Sequence, residues 1–314
     1  MLASLTRFTP MNLIRNRWAQ VFSQSLLGVL IVSGTAWAGD PFRPSNPHNI
    51  GDQTEAAFEA IFRDGNYRGA EEILAVALQV EPNEPLVYAM QASFAYDAND
   101  MEGMRKYAQQ TLESAQRLAP SDPLRGNLYI AVGHFLEGSY LLKKGSYLQA
   151  VGKTGTVFEH LDKASAINPN DPELNLLRGY LDLFLSRYTP FSQSEQVIGR
   201  FEQYAAPDYL RYRALATTYR DLEKYDLAMA NIDRALAITP DNPELQYLKG
   251  QFLRNEGRRS MDLGKLQQAQ QYYALALEKQ DQLSRALVVQ LNHENNAVVD
   301  EIQKLAQNPS LKGF

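Results

Sequence analysis

The sequence predicts an all-α protein in which pairs of helices stack in series. Three observations support this prediction: a clear helix–turn–helix pattern over residues 207–240, weaker copies of it on both sides, and proline-containing junctions between the copies. One helical pair cannot bury its own apolar face, so a series of pairs is needed to form a core, with each pair packing only on its neighbours.

The clearest helical pair closes at Pro240. Leu215 and Tyr219 lie four residues apart and therefore share one face of a first helix. Ala216 and Ala228 are small enough to let two antiparallel helices approach closely. The pattern is carried by Tyr212, Leu215, Ala216 and Tyr219 in the first helix and by Tyr225, Ala228, Ile232 and Ala235 in the second.

This pattern resembles the tetratricopeptide repeat (TPR), a unit of about 34 residues. The resemblance covers most of residues 54–280 and is specific at 54–84 and 207–240. It implies a right-handed α-solenoid of about six TPR-like helix–turn–helix repeats with a C-terminal capping helix. The early copy is carried by Gly65, Tyr67, Ala70, Leu74, Ala77 and Pro82.

Four junctions combine a polar residue with a proline, which a helix accepts in its first turn but not in its interior. They are Asn83-Glu-Pro85, Asp122-Pro123, Asp171-Pro172 and Asp241-Asn-Pro243. Units 83–120, 121–169 and 243–280 exceed the repeat length, which predicts helices longer by about one or two turns. The weakest unit, 172–206, is expected to break at Tyr188-Thr-Pro190.

The first 38 residues are typical of a cleavable signal peptide. Three arginines precede the apolar run 26–32, and Ala36-Trp-Ala38 supplies small residues for cleavage. The run is shorter than the roughly 20 residues of a membrane span, although an uncleaved N-terminal anchor stays an alternative. Met11 is an alternative start. Export would lead to a periplasm, a thylakoid lumen or the medium.

The remaining boundaries follow from composition. Residues 39–53 are rich in proline, glycine and polar residues and are expected to form a flexible linker. Residues 54–280 form the repeat domain, 281–306 the C-terminal capping helices and 307–314 a tail.

The charge balance disfavours two classes of partner. The chain has 31 basic and 36 acidic residues, and three of the basic ones lie in the predicted signal peptide, which leaves 28 against 36 after cleavage. An acidic protein of this kind is a poor candidate for binding nucleic acid or anionic lipid. Peripheral membrane association is expected only through a partner. The chain has no cysteine, so no disulfide holds it together.

Residues that would carry catalysis are not brought together by any motif. The four histidines lack the paired spacing of a zinc site, and His134 and His160 would meet only if their helices pack. Gly152-Lys153-Thr154 imitates the end of a phosphate-binding loop, but Tyr147 stands where an earlier glycine belongs and no strand precedes it. We expect a helix with small residues at a packing surface there, and no enzyme activity, cofactor or metal.

The resemblance places binding on the concave surface that the first helix of each repeat would line. The outward-facing residues implied by it are Arg213, Thr217, Arg220, Tyr247, Gln251 and Arg254, with the aromatic residues Tyr96, Phe135, Tyr180 and Phe184 upstream. Arginine and aromatic side chains often dominate interfaces, although the aromatic ones would equally serve as core. Thr217 and Gln251 replace the asparagines of the family's clamp for a peptide carboxylate, so that activity is not carried over.

Three functions stay open at this stage. The first is an exported scaffold that holds a protein or peptide, such as an assembly factor for an envelope or membrane complex. The second is a periplasmic solenoid for a small molecule or glycan, favoured if the concave aromatic residues are exposed. The third is an enzyme acting on cell-wall sugars, which would need a pair of carboxylates across one groove.

Overall fold

The structure, a computed structural model, describes residues 39–186 and 194–307, and within these ranges it contains thirteen α-helices and no strand. Consecutive helices pack as six pairs, followed by a single helix. The prediction of an all-α solenoid with a C-terminal helix is confirmed. The helices are α1 Asp52–Phe62, α2 Tyr67–Val80, α3 Pro85–Asp97, α4 Met101–Leu118, α5 Pro123–Lys143, α6 Tyr147–Ile167, α7 Pro172–Ser186, α8 Ser194–Gln203, α9 Asp208–Asp221, α10 Tyr225–Ile238, α11 Pro243–Ser260, α12 Leu263–Glu278 and α13 Arg285–Gln307.

Three predicted features lie outside the described residues: the signal peptide over 1–38, the break at Tyr188-Thr-Pro190 and the tail beyond Gln307. No helix in the described ranges is both long enough and apolar enough to cross a membrane.

The predicted junctions are confirmed, because α3, α5, α7 and α11 each begin at the expected proline. The residue before the proline satisfies free backbone N–H groups of the first turn. The Asp122 carboxylate accepts from the N–H of Arg125 at 3.0 Å. The Asn242 side-chain oxygen accepts from the N–H groups of Glu244 and Leu245 at 2.9 and 3.1 Å. A local signal therefore fixes where these helices start.

The helices of the three long units are longer than those of the clearest pair, as predicted, except for α3, which has 13 residues. Helices α5 and α6 each have 21 residues, whereas α9 and α10 each have 14. Seven residues correspond to about two turns. Close packing depends on small residues, since a Cβ at Gly126 would lie 2.3 Å from the Cα of Ala119. Ala216 and Ala228 are fully buried, as the pattern predicted.

The segment before α1 is packed rather than flexible, which corrects the expectation for 39–53. We call residues 39–51 the N-terminal strap. Its Phe42 and Ile50 are 2 % and 0 % exposed, and the Phe42 ring packs edge-on against Phe58 with centroids 4.8 Å apart. The Asp40 carboxylate accepts from the backbone N–H groups of Phe42 and His48 at 2.9 and 3.0 Å. Prolines exclude helix here, but they do not prevent burial.

The two ends of the array touch, whereas the sequence predicted contact between neighbouring pairs alone. The Asn242 amide, before α11, donates to the carbonyl of Arg63 at 3.1 Å. The backbone N–H of Tyr67 donates to the carbonyl of Gln282 at 3.3 Å, and the Tyr67 hydroxyl donates to the Glu244 carboxylate. The turn between α1 and α2 therefore rests against the start of the sixth helical pair.

Candidate functional site

Two of the residues predicted to line an open concave surface, Arg213 and Tyr247, lie between helices instead. Arg213 is 5 % exposed and Tyr247 is 1 % exposed, so the expected outward orientation is wrong for both. The Arg213 guanidinium donates to Glu244 on α11, and the Tyr247 hydroxyl donates to Glu294 on α13 at 2.7 Å. Both side chains point at the next inner helix of the series, which covers them.

Helix α13 also contacts Gln251 and Arg254, the other two predicted residues on α11. The Gln251 amide donates to Glu294 at 2.9 Å, and the Arg254 guanidinium donates to Glu301 at 2.7 Å. These two carboxylates lie seven residues apart on α13 and therefore share one face. The chain itself therefore supplies the carboxylates that Gln251 and Arg254 contact.

The remaining predicted residues also have contacts within the chain. The Thr217 hydroxyl donates to the carbonyl of Ala214 at 2.9 Å, and Arg220 lies over the Phe252 ring, 5.7 Å from its centroid. The Lys143 ammonium lies 4.0 Å from the centroid of the Tyr96 ring. Their role in binding a partner stays a prediction.

Two further predicted aromatic residues are partly buried. Tyr180 packs edge-on against Phe201 with ring centroids 5.5 Å apart, and burial raises its pKa to about 12. Phe135 packs against the same core. The side chain of Phe184 lies outside the described residues.

A network of buried charges fills the interior; we call Arg43, Glu84, Arg125, Asp171 and Glu173 the interior charge network. Arg125 is fully buried, and it donates to Glu84 at 2.7 and 3.0 Å and to Glu173 at 3.3 Å. These contacts join the starts of α3, α5 and α7. Each buried charge therefore meets an opposite charge, as burial requires.

The N-terminal strap completes this network. Arg43 donates to Asp171 at 2.7 and 2.8 Å and to Glu173 at 2.9 Å. Burial alone would raise the pKa of Glu173, but Arg125 and Arg43 more than offset it and hold that pKa below its usual value. Glu173 is therefore a buried, ionised carboxylate that ties the strap to α7.

The histidines and the phosphate-loop mimic show no catalytic arrangement. The rings of His134 and His160 approach to 6.4 Å because α5 and α6 pack, as the sequence allowed. No group of three or more His, Cys, Asp or Glu side chains in residues 39–186 and 194–307 is arranged to hold a metal ion. Gly152-Lys153-Thr154 lies within helix α6, as expected, and not in a loop after a strand.

The expected packing surface at this place is wrong, because the small residues of α6 face solvent. A Cβ added at Gly152 or Gly155 would meet no heavy atom within 4 Å. Leu148 and Val151, on the same helical face, are 91 % and 68 % exposed. We call Leu148, Val151, Gly152 and Gly155 the α6 face.

The α6 face is unfavourable for the isolated chain. A glycine inside a helix costs about 1 kcal/mol relative to alanine, and neither glycine is required by a neighbour in the structure. Contiguous exposed apolar residues commonly mark an interaction surface. One sign of this surface is present in the sequence, because no charged residue lies between Tyr147 and Gly152. The resemblance to the TPR places binding on the inner helices instead.

A second outward-facing feature is a cleft of about 300 Å³ between α8, α9 and α10. Its polar rim includes Arg211, Arg234 and Glu202, and its wall includes Leu215 and Leu227. The two arginines lie near one ring, since their guanidinium carbons are 5.0 and 5.7 Å from the centroid of Tyr212. Sequence reasoning did not find this cleft, because it is formed by two successive helical pairs.

The packed helix pairs and their proline junctions define this chain as a TPR-like α-solenoid, an architecture typical of protein-interaction scaffolds. No family model and no curated protein matches the sequence.

Solved structures with a similar arrangement are distant. A human IFIT1 dimer with PPP-AAAA has 16 % identity and a TM-score of 0.46, over 80 % of this chain and 58 % of that one. A thermophilic TPR protein of Thermus thermophilus, TTC0263, has 17 % identity and a TM-score of 0.30, over 79 % and 97 %. A monomeric IFIT1 mutant with Gppp-AAAA has 14 % identity and a TM-score of 0.46, over 84 % and 61 %. The chain thus spans about three fifths of the IFIT1 chains.

Proposed function

We propose that this protein is an exported, non-catalytic scaffold that binds a polypeptide partner through the α6 face. The observation that carries the proposal is the exposure of Leu148 and Val151 beside two glycines that no packing within the chain requires. On the inner helices, where a TPR-like solenoid would ordinarily bind, Arg213 and Tyr247 are buried within the chain instead of being open to a partner. Binding is therefore assigned to the outer layer.

The chemistry of the α6 face indicates the kind of partner. Leu148, Val151 and Gly155 lie at spacings of three and four residues and form one apolar stripe. Glycines in such a stripe let another backbone approach closely, as in helix pairs joined through small residues. The partner segment is thus an amphipathic helix with few charges on its contacting side, laid along α6.

The binding site is tested by photo-crosslinking from single positions. A photoreactive residue at Leu148 or Val151 is expected to capture one reproducible polypeptide in the native cells. A matched probe at Val80 on α2, which is 61 % exposed, should not capture it. Equal capture from Val80 would show nonspecific adsorption and contradict the assignment. Capture from a further probe at Gly155, on the same face, that survives the double substitution Leu148→Glu and Val151→Glu would contradict it as well.

Export is proposed from the sequence of residues 1–38. Positive charge, an apolar run and Ala36-Trp-Ala38 occur in the order that signal peptidases recognise. Intact-mass measurement of the protein purified from its own cells is expected to show a chain beginning at Gly39. A chain that retains the apolar run would instead support an N-terminal membrane anchor, and an intact chain in the cytoplasm would contradict export.

An assembly role would follow from the identity of the captured polypeptide. We propose that it is a subunit of an envelope or membrane complex, because an exported scaffold without catalytic residues acts only through what it holds. Deletion of the gene should then lower the amount of assembled complex while its subunits are still synthesised. Unchanged assembly in the deletion strain would contradict this role, but it would not contradict the proposed binding surface.

A further inference from the structure

We propose that the cleft between α8, α9 and α10 is a recognition site for a short acidic peptide segment, whose carboxylate binds Arg211 and Arg234 and whose backbone N–H binds the side-chain oxygen of Asn231. This inference goes beyond the proposed function. It uses other residues than the α6 face, and it stands whether or not that face binds a partner.

Asn231 provides the first argument, since it is 5 % exposed and lines the cleft. Its amide nitrogen donates to the carbonyl of Leu227 at 2.9 Å, which fixes which end of the amide is the oxygen. That oxygen is buried and has no hydrogen-bond partner among the described residues. A buried acceptor without a donor is unfavourable, so a donor from a ligand would be favoured there.

The orphaned oxygen selects the class of ligand. It accepts a hydrogen bond, so a free phosphate or carboxylate, which at neutral pH is chiefly an acceptor, does not satisfy it. A peptide supplies a backbone N–H within a few ångströms of an acidic side chain. The oxygen is covered in this structure, so the proposal requires a side chain lining the cleft to move aside when the ligand binds; Leu227 and Arg234 are exposed members of that lining.

The charges of the cleft provide the second argument. Arg211 pairs with Asp208 at 3.0 Å, whereas Arg234 contacts the Tyr212 ring and has no carboxylate partner within the described ranges. Glu202 is the one acidic residue lining the cleft, and it accepts from the Tyr219 hydroxyl at 3.1 Å. The lining thus has two arginines and one glutamate, and because Asp208, beside the cleft, pairs with Arg211, Arg234 is the cation left for the carboxylate of a ligand.

The size and wall of the cleft set the length of the ligand. A volume of about 300 Å³ accommodates a short segment and not a folded domain. Leu215 and Leu227 offer apolar contacts next to the arginines. The expected recognition unit is thus an acidic residue flanked by apolar ones, with the guanidinium groups forming charge-assisted hydrogen bonds to its carboxylate.

The test uses the full chain and two blocked peptides, N-acetyl-Leu-Glu-Leu-amide and its neutral Gln analogue. We expect saturable binding of the acidic peptide by calorimetry with a Kd of about 1 mM or tighter, and binding of the Gln analogue at least about tenfold weaker. The double variant Arg211→Gln and Arg234→Gln should weaken binding by at least about tenfold. The matched control Arg258→Gln, an arginine 57 % exposed on α11, should leave it unchanged.

The near-isosteric variant Asn231→Leu separates binding from folding. If the oxygen serves a ligand, this variant keeps or gains thermal stability, because an unpaired polar atom is removed, while peptide affinity falls by about fivefold or more. A merely structural asparagine would show the reverse, with lower stability and unchanged affinity. The inference is overturned by that reverse result, by absence of saturable peptide binding, by equal binding of the Gln peptide, or by inorganic phosphate binding as tightly as the acidic peptide.

Discussion

The inner and outer surfaces of this solenoid use different chemistry. Inside, arginines and tyrosines are buried and paired, as with Arg125 and Glu173 or Tyr247 and Glu294. Outside, α6 presents leucine, valine and glycine to solvent, and the α8–α10 cleft keeps one arginine without a carboxylate partner in the described residues. The difference shows that residue type alone does not identify a binding surface in a repeat protein. A residue belongs to a binding surface only if its charged, polar or apolar groups do not already have partners within the chain.

The largest expected effect concerns the centre of the inner surface. Replacing Arg125 by Met leaves Glu84 and Glu173 buried without their shared counter-charge, and we expect a loss of about 3–5 kcal/mol in the free energy of unfolding. Urea denaturation followed by circular dichroism measures it. The control Arg105→Met, at an arginine 57 % exposed on α4, should change stability by less than about 0.5 kcal/mol. Similar small effects at both sites would contradict a tightly coupled interior.

The next effect concerns the N-terminal strap. Phe42→Ala removes a buried ring that packs on Phe58, so unfolding should become easier by about 3 kcal/mol. Val80→Ala, at an exposed position on α2, is the control and should be nearly neutral. If the strap were flexible, the two substitutions would change the melting temperature by the same small amount.

A smaller effect is expected from pH, through Glu173. Its pKa is lower in the folded state than in the unfolded chain, so it contributes stability that is present above the unfolded value of 4.5 and is lost as pH falls through the folded value. The variant Glu173→Gln should be less stable at neutral pH but lose less stability between about pH 5 and about pH 3. Parallel stability curves of the two proteins across this range would show that Glu173 does not titrate as described.

The smallest effect on stability belongs to the outer surface. The double substitution Leu148→Glu and Val151→Glu changes side chains that are mostly exposed, so the free energy of unfolding should change by less than about 0.5 kcal/mol. Capture of the partner should nevertheless be lost. A marked loss of stability in urea would show instead that the α6 face packs within the molecule.

The ends of the helices were predictable because residues adjacent in the sequence determine them. A polar residue followed by proline, as at Asp122-Pro123, both caps a helix and forbids its continuation upstream, and no distant contact is needed. The lengths of α5 and α6 followed from the spacing of such junctions in the same way.

The facing of side chains was not predictable by the same means. Arg213 and Tyr247 occupy equivalent repeat positions, and which neighbour they meet depends on the rotation of each helix against the next, which long-range contacts fix. The prediction of a flexible linker before α1 was wrong for a related reason. Proline and glycine exclude a helix there, but they do not exclude burial of Phe42 and Ile50. The cleft at Asn231 depends on a covered oxygen that no sequence pattern records.

The most direct test of the contrast between the two surfaces uses thiol labelling, which the cysteine-free sequence makes simple. Single variants Ile50→Cys and Leu148→Cys are treated with a maleimide under native conditions, at positions 0 % and 91 % exposed. Position 148 should react at the rate of the unfolded chain, and position 50 at least about 100-fold more slowly, since it becomes accessible only on opening. Equal fast labelling at both positions would show that the strap is not packed against the helices and would contradict the contrast between a satisfied interior and an open outer layer.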